Sequence, residues 1–446
     1  MKKILIANRG EIADRIIRTC SRLGIETVAV YSSADKDMPY VRNATHAHEI
    51  GDPPAVKSYL NQDEIIRVAE EEKVDAIHPG YGFLSENASF ARRIEEKGIT
   101  FIGPSADVVE AMGDKITARK TMIDAGVPVV PGSTEIEDAE KAIAYANEVG
   151  YPVMLKAAAG GGGIGMQRCE NDGDLEKAFS SSQNRAKAYF GNGAMFVEKF
   201  IDEARHIEVQ IVGDHHGNIV HLYERDCSIQ RRNQKVVEET PSPFISPETR
   251  NKIGEAAVNA AKQVNYTNAG TVEFVMDGEE NFYFLEMNTR LQVEHPITEE
   301  TNGVDLVEWQ LLIAEGRALP LAQEEISPSG HSIEFRLYAE DPNTFMPSPG
   351  KIESLEFPEV DGIRIDSGYE SGSTVSPFYD PMIAKIIASG ENRKEALEIA
   401  RTFFSKFQLK GIKHNGPLFE NLLQESDFQN GHYTTSYLSK KLAHKK

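Results

Sequence analysis

The segment VMLKAAAGGGGIGM, residues 153–166, decides how this chain folds. An apolar run ends on Lys156 and passes directly into Gly160, Gly161, Gly162, Gly163 and Gly165, which reads as a strand opening into a hairpin-like glycine loop. Glycines let backbone N–H groups approach phosphate oxygens, and the lysine at the strand end supplies charge. A plain surface loop is the competing reading. The segment lacks the Gly-Lys-Ser/Thr ending of a P-loop, so phosphates bound here would lie under a glycine lid that can close. A second apolar run at residues 195–197 ends at Glu198 and Lys199 and bounds a small unit over residues 130–202.

Outward from this unit the pattern changes in both directions. Toward the N-terminus, residues 4–7, 28–31, 75–78 and 100–102 are short buried strands separated by polar helical stretches; Ile12, Ile16, Cys20 and Leu23 recur at helical spacing. This predicts an open parallel α/β sheet. Asn8-Arg9-Gly10-Glu11 follows the first strand where a dinucleotide enzyme would carry G-x-G-x-x-G, which disfavours a dehydrogenase. Toward the C-terminus, residues 206–212, 219–223, 270–276 and 282–287 are strands rich in aromatic and β-branched residues, and Ser246-Pro247 starts a helix between them. These belong to a large mixed α/β domain.

The strongest constellation is Glu273 with FYFLEMNTRLQVEHP at residues 282–296. Alternate residues of a strand share a face, so Glu286, Asn288, Arg290, Gln292 and Glu294 point the same way if the run stays extended. Glu273, Glu286 and Asn288 offer the hard oxygens that suit Mg²⁺ beside phosphates. Arg290 and Glu294 add a fixed cation and a base, as an oxyanion substrate and a proton abstraction require. The competing reading is a solvated polar sheet face, but a carboxylate at the end of a buried run needs a partner. A second polar block, residues 226–235, places three cations inside an acidic protein and reads as an anion holder; Cys227 within it reads as a small buried residue. Gly80 to Asn87 forms a turn at a strand end, where open sheets bind ligands. Asp341-Pro342-Asn343 and Pro347-Ser348-Pro349-Gly350 form a rigid loop after Arg336.

The chain has 446 residues, 40% of them hydrophobic, enough for a full core and several domains. Lys and Arg number 48 against 69 Asp and Glu; the formal charge of −21 opposes binding to nucleic acid or to an anionic membrane. No run approaches a membrane span of about 18 apolar residues, and the start is too short for a signal peptide. Three cysteines, Cys20, Cys169 and Cys227, make a disulfide framework improbable and fit a reducing cytoplasm.

The blocks IANRGEIADRIIR, IHPGYGFLSEN, GDK, LKAAAGGGGIGM, ERDCSIQRR, FLEMNTRLQVEHP, AEDPNTFMPSPGKI and YDPMIAKI, in this order, resemble the biotin carboxylase family along nearly the whole chain. The resemblance implies an α/β (α+β) ATP-grasp fold: an N-terminal α/β sheet domain (1–114), linker helices and a glycine-rich lid (115–202), the ATP-grasp core (203–325) and a C-terminal domain (326–446). It implies ATP- and bicarbonate-dependent carboxylation of biotin on a carrier protein, with ATP and Mg²⁺, or Mn²⁺, as cofactors. Lys115, Lys156, Gly162, Gly163, Glu198, Lys199, Ile201, His206, Gln230 and Asn233 match positions around the nucleotide. Glu273, Glu286 and Asn288 match metal ligands; Lys235, Arg290, Gln292 and Val293 match the bicarbonate site. Glu294 matches the general base, Arg336 the residue that steadies the biotin enolate, and Tyr81 a neighbour of biotin. In the family mechanism bicarbonate attacks the γ-phosphate to give carboxyphosphate, whose phosphate later takes the N1′ proton of biotin while biotin attacks the released CO₂.

Three positions depart from the family: Ile164 stands where a basic residue is frequent, Asn233 where a histidine is frequent, and Arg22 at a position that is acidic in some relatives near their dimer interface. The first two bear on nucleotide affinity more than on reaction type. Other ATP-grasp ligases would share the lid and metal carboxylates without needing the R-x-Q-x-E run and a matching downstream arginine. The chain has no Met-Lys-Met biotinyl site, so the carrier protein and the carboxyltransferase are expected on separate chains, and the subunit is expected to form a homodimer in the cytoplasm.

Overall fold

The computed structural model describes residues 1–158, 166–190 and 193–443. The N-terminal strands β1 (Lys3–Ile6), β2 (Glu26–Tyr31), β3 (His46–Glu49), β4 (Ala76–His78) and β5 (Thr100–Phe101) form one parallel sheet in the order β3-β2-β1-β4-β5. The central strand β1 is apolar from Ile4 to Ile6 because both its faces are covered there. Ile4 and Ile6 face one core, and Leu5 packs into another. The helix Gly10–Arg22 follows β1 and buries Ile12, Ile16 and Cys20 at the spacing read from the sequence.

Strands β6 (Val153–Ala157), β7 (Gln167–Cys169) and β8 (Met195–Lys199) form a small antiparallel sheet in the order β7-β6-β8. Its core, including Val153, Leu155, Val197, Leu175 and Phe179, is separate from the other cores of the molecule. The glycine loop Gly160 to Gly165 lies outside the described residues.

The remaining long strands are β9 (Arg205–Gly213), β10 (Ile219–Arg231), β11 (Gln234–Thr240), β12 (Asn268–Met276), β13 (Phe282–Asn288) and β14 (His331–Tyr338). After them come β15 (Gly350–Lys351), β16 (Ser354–Glu356), β17 (Ile363–Ser367), β18 (Thr374–Val375), β19 (Met382–Gly390) and β20 (Gln408–Lys410). Eight make one antiparallel sheet in the order β13-β12-β9-β10-β11-β14-β19-β17; β15 with β18 and β16 with β20 form two small ribbons. The helix Pro247–Gln263 covers part of this sheet, started by Ser246, whose hydroxyl accepts the Thr249 N–H at 3.2 Å.

One reading of the sequence requires correction. Residues 282–294 do not stay extended: β13 ends at Asn288, and Glu294 instead caps the helix His295–Asn302. The polar block at residues 226–235 is the buried end of β10, turned into β11 by Arg232 and Asn233, both at positive φ (51° and 62°). Positive φ at both central residues is the geometry of a type I′ hairpin, whose twist matches the strands. Arg231 faces Glu340 at 2.7 Å, and the exposed Arg232 stands on the turn.

The C-terminal region is tied to the large sheet through Glu239 on β11. Its carboxylate meets His331 at 2.6 Å, Arg393 at 2.7 and 2.9 Å, and the Tyr433 hydroxyl at 2.5 Å. Burial opposes ionisation here, but His331 and Arg393 overcome it and bring the carboxyl from 4.5 down to about 2. A lowered folded-state value contributes stability above pH 4.5 that is lost as pH falls toward 2, on the order of 3 kcal/mol. Glu239→Gln is therefore expected to lower the thermal midpoint most at neutral pH, with the gap to wild type closing between pH 4.5 and 2. A gap that stays constant through that window would contradict the assignment.

Candidate active site

Register across the large sheet assembles the site. Glu273 on β12 is the Cα partner of Glu286 on β13 and of Glu208 on β9; on the far side of β9, Glu208 pairs in register with Arg225 on β10. The type I′ turn then sets Gln230 opposite Lys235. Four adjacent strands and one hairpin thus carry charged side chains to one place. They line a cavity of about 660 Å³ whose walls include Tyr81, His206, Gln230, Asn233, Lys235, Glu273, Glu286, Asn288, Arg290, Gln292, Val293 and Arg336.

Lys235 occupies the centre. Its ammonium donates to Glu208 Oε2 at 2.5 Å, to Glu273 Oε1 at 3.0 Å and to Glu294 Oε1 at 2.7 Å. Burial works against its charge, yet these three carboxylates hold it well above the usual lysine range. Glu273 also accepts from Asn288 Nδ2 and Gln292 Nε2, both at 2.7 Å, and its second oxygen meets His206 Nε2 at 2.5 Å. Despite burial, Glu273 raises the proton affinity of His206. Gln230 bridges to the other ring nitrogen of His206 at 3.0 Å.

Glu294 is fully buried just behind the cavity wall. Burial disfavours its charge, but Lys235, Arg336 and Arg225 hold the carboxyl well below the ordinary range. Arg336 Nη2 donates to Glu294 Oε2 at 2.9 Å, and the Cys227 thiol lies 3.8 Å from Oε1. Burial pushes the Cys227 thiol far up, which removes it as a nucleophile and agrees with its reading as a small buried residue. Arg290 is forked across Asn288 Oδ1 at 2.9 Å and Gln292 Oε1 at 2.8 Å, with Nε on Glu86 at 2.8 Å. The Val293 carbonyl accepts from Lys385 at 3.0 Å. Tyr81 is fixed by its own carbonyl, which accepts from Asn8 Nδ2 at 2.7 Å.

The expected nucleotide residues divide between the sheet and the small domain. Lys156 and Glu198 form an ion pair between β6 and β8, and Arg119 reaches the same carboxylate at 3.1 Å. Lys115 starts the helix Lys115–Asp124 and is lowered by burial, with Glu286, Lys156 and Glu198 as charged neighbours. Lys199 is turned to the Gly150 and Tyr151 carbonyls at 2.7 and 3.2 Å, and half-buried Ile201 follows the end of β8. Gly162, Gly163 and Ile164 lie outside the described residues.

Glu286 tests the fit of a divalent cation. Burial and the nearby Glu273 raise its carboxyl against the pull of Lys115, and among the described residues Glu286 has no ion-pair partner, so a cation at this cavity wall would stabilise its charged form. Asn288 Oδ1 keeps a second lone pair beside its bond to Arg290. The donor set fits magnesium.

Reading the sequence missed Glu208, Arg225 and Glu86. Arg225 is entirely buried and donates to Glu208 at 2.5 Å and to Gln210 at 2.8 Å. The only signal was its place in the ERDCSIQRR block; Glu86 likewise sat in a strand-end loop already noted for ligands. Removing the central cation leaves three buried carboxylates short of their shared positive charge, and breaking a buried pair in this way costs about 3–5 kcal/mol. Lys235→Met is expected to lower the thermal midpoint strongly and Lys235→Arg much less; equal midpoints for wild type and Lys235→Met would contradict this reading of the charge cluster.

Family models match the chain in three parts: the biotin carboxylase N-terminal domain at residues 1–109, the carbamoyl-phosphate synthase L chain ATP-binding domain at 114–322, and the biotin carboxylase C-terminal domain at 334–440. A biotin carboxylase of Halalkalibacterium halodurans is 58% identical over 442 residues, covering 99% of this chain and 98% of the relative. A biotin carboxylase–β-γ-ATP complex from Campylobacter jejuni superposes with a TM-score of 0.96 at 46% identity, covering 98% of both chains. The biotin carboxylase domain dimer of the Hydrogenobacter thermophilus 2-oxoglutarate carboxylase, in complex with MgADP, ADP and bicarbonate, gives 0.95 at 48% identity, covering 98% of this chain and 97% of that one. With its α/β ATP-grasp fold and matches along its whole length, the chain belongs to the biotin carboxylase family.

Proposed function

We propose that this protein uses ATP and bicarbonate to carboxylate biotin held on a biotin carboxyl carrier protein. The observation that carries the reading is Glu294, buried between Lys235 and Arg336 at the wall of a cavity that also presents Arg290, Gln292 and the acidic set of Glu273, Glu286 and Asn288. Lys235 and Arg290 give a bicarbonate anion two cations in a protein of net charge −21. Their present carboxylate and amide partners hold them in place until the anion enters. Glu294, ionised by its cations, accepts the bicarbonate proton. Entry of the anion offsets Lys235 and so strengthens Glu294 as a base at the moment of transfer.

The oxygen of the deprotonated bicarbonate then attacks the γ-phosphorus, and ADP leaves as carboxyphosphate forms. Lys115 and Lys156 offset phosphate charge, Glu198 orients Lys156, and His206 with Gln230 lines the path from the nucleotide to the sheet. Magnesium or manganese at Glu273, Glu286 and Asn288 would draw charge from the phosphate oxygens when bound. Carboxyphosphate breaks to CO₂ and phosphate, the phosphate takes the N1′ proton of biotin, and N1′ forms its bond to CO₂. Arg336 stabilises the enolate charge, and Tyr81 borders the ring. Gly162 and Gly163 serve this reading as a lid that keeps water from the intermediate.

The chain divides in this reading into residues 1–114, 115–202, 203–325 and 326–446. The carrier and a carboxyltransferase act from separate chains, and the complete complex is an acetyl-CoA or another acyl-CoA carboxylase of the cytoplasm, the first case feeding fatty acid synthesis. The dimer of the Hydrogenobacter thermophilus relative supports a homodimer. Arg22 bonds within its own chain to Asp305 at 2.8 Å and Glu308 at 2.7 Å, so it stands on the surface already paired. Among the described residues no helix is long and apolar enough to cross a membrane.

The test is fixation of labelled bicarbonate into carboxybiotin by the purified protein with ATP, Mg²⁺ and free biotin. Wild type is expected to fix label only when biotin is present. Glu294→Gln, which keeps size and packing, is expected to fold and bind ATP but to lose turnover at least about 100-fold. Fixation at the wild-type rate in that variant would remove Glu294 as the base, and no fixation by wild type would sink the functional reading.

A further inference from the structure

Behind Arg336 lies a pair of carboxyls that the mechanism above leaves unused. Glu238 on β11 and Glu334 on β14 are Cα partners across the large sheet, and neither is exposed. Arg336, two residues beyond Glu334 on the same face of β14, brings Nε to 2.6 Å from Glu238 Oε1. The contact is one of charge, its angles lying outside those of a hydrogen bond. The terminal Nη2 of the same guanidinium donates to Glu294 Oε2 at 2.9 Å. Glu238 Oε2 and both oxygens of Glu334 have no hydrogen-bond partner among the described residues. Among the described residues Arg336 is thus the cation in direct contact with Glu238, and it stands in the cavity wall that Glu238 does not itself line.

We infer that Glu238 is a positioning residue for Arg336, pinning Nε from behind so that the guanidinium plane is fixed at the cavity wall where the biotin ring would meet it. The inference rests on the functional reading given above. A guanidinium is a planar fork, so holding Nε on Glu238 and Nη2 on Glu294 fixes its plane as well as its place. Lysine at this position could not be held in that way.

The neighbours of Glu238 explain how Arg336 stays positive between two acids. Glu238 is faced by Arg336, Glu334 and Tyr338 from β14, by Lys235 from its own strand, by Cys227 from β10, by Glu208 from β9 and by Glu294 at the start of the helix His295–Asn302. Burial first, then its acidic neighbours, raise Glu238 to about 7 against the pull of Arg336. Burial, with Glu238 and Glu294 beside it and against the pull of Lys385 on β19 and of Arg336, pushes Glu334 well above the carboxylate range. The pair therefore retains a proton at neutral pH, and Arg336 keeps charge in excess for an enolate that develops in front of it.

The test compares two rates in the same protein: bicarbonate-dependent ATP hydrolysis without biotin, and the increment that free biotin adds. Glu238→Gln keeps the shape of the side chain and removes its charge. It is expected to lower the biotin increment about tenfold more than the biotin-independent rate, and to move the pH profile of the increment near neutrality. If Glu238→Gln does not fold, Glu238→Asp, which withdraws the carboxylate by one methylene, is read in the same two assays with the same expected direction. An equal fall in both rates makes Glu238 merely structural and overturns the inference, as does an unchanged increment. Absence of any biotin increment in wild type overturns the functional reading and this inference with it.

Discussion

One ammonium group, that of Lys235, lies within 3.0 Å of three carboxylates drawn from β9, β12 and the start of the helix after β13. Three acids this close would repel one another strongly in a buried site, and burial alone would protonate them. The lysine keeps Glu273 and Glu294 ionised, with Arg225 and Arg336 closing the balance from either side. In the proposed reaction Glu273 has to be charged to hold a metal, and Glu294 has to be charged to take a proton. Both properties follow from a cation that is itself aimed at the place where an anion would enter.

The strand register makes this arrangement reproducible. Antiparallel neighbours place directly opposed side chains about 5 Å apart, so acids on β9, β12 and β13 form a row without any loop to position them. A lone loop would give such charges freedom to separate. Placed on three adjacent strands, they cannot relax away from each other, and the opposing charges must be built into the sheet. Arg225, entirely buried, is the inner half of that answer; Lys235, facing the cavity, is the outer half.

Some of this was legible in the sequence. Glu286 and Asn288 end a strand as their alternation predicts, and Glu273 stands opposite Glu286. The bend after Asn288 was not legible, because Arg290, Gln292 and Glu294 continue an alternation that suits a strand equally well. The bend is set by distant partners: Glu86 draws Arg290, while Glu273 and Thr271 draw Gln292. The end of β10 was hidden for a related reason. Glu224, Arg225 and Asp226 look solvated, yet they are buried against Arg250, Glu208 and Ser242. Charge in a sequence marks a surface only until its partners are known. The edge strand β3, His-Ala-His-Glu, escaped notice because an exposed edge needs no apolar run.

The hexapeptide 289–294 shows how far the site depends on the whole chain. Its arginine is bonded to Glu86 from the N-terminal sheet domain, and its Val293 carbonyl accepts from Lys385 on β19. Lys385 is fully buried and also pairs with Glu11 at 3.0 Å, on the helix that follows β1. Close packing at that junction is severe: a methyl group at Gly368 would stand 2.6 Å from the Glu11 nitrogen. The helix after β1, acting through Lys385, the loop after β4 and a C-terminal strand therefore converge on six residues that carry Arg290 and Glu294. A short motif that seems self-sufficient in sequence acquires its geometry only when all three regions have docked, which ties the charge arrangement of the site to the integrity of contacts far outside the motif.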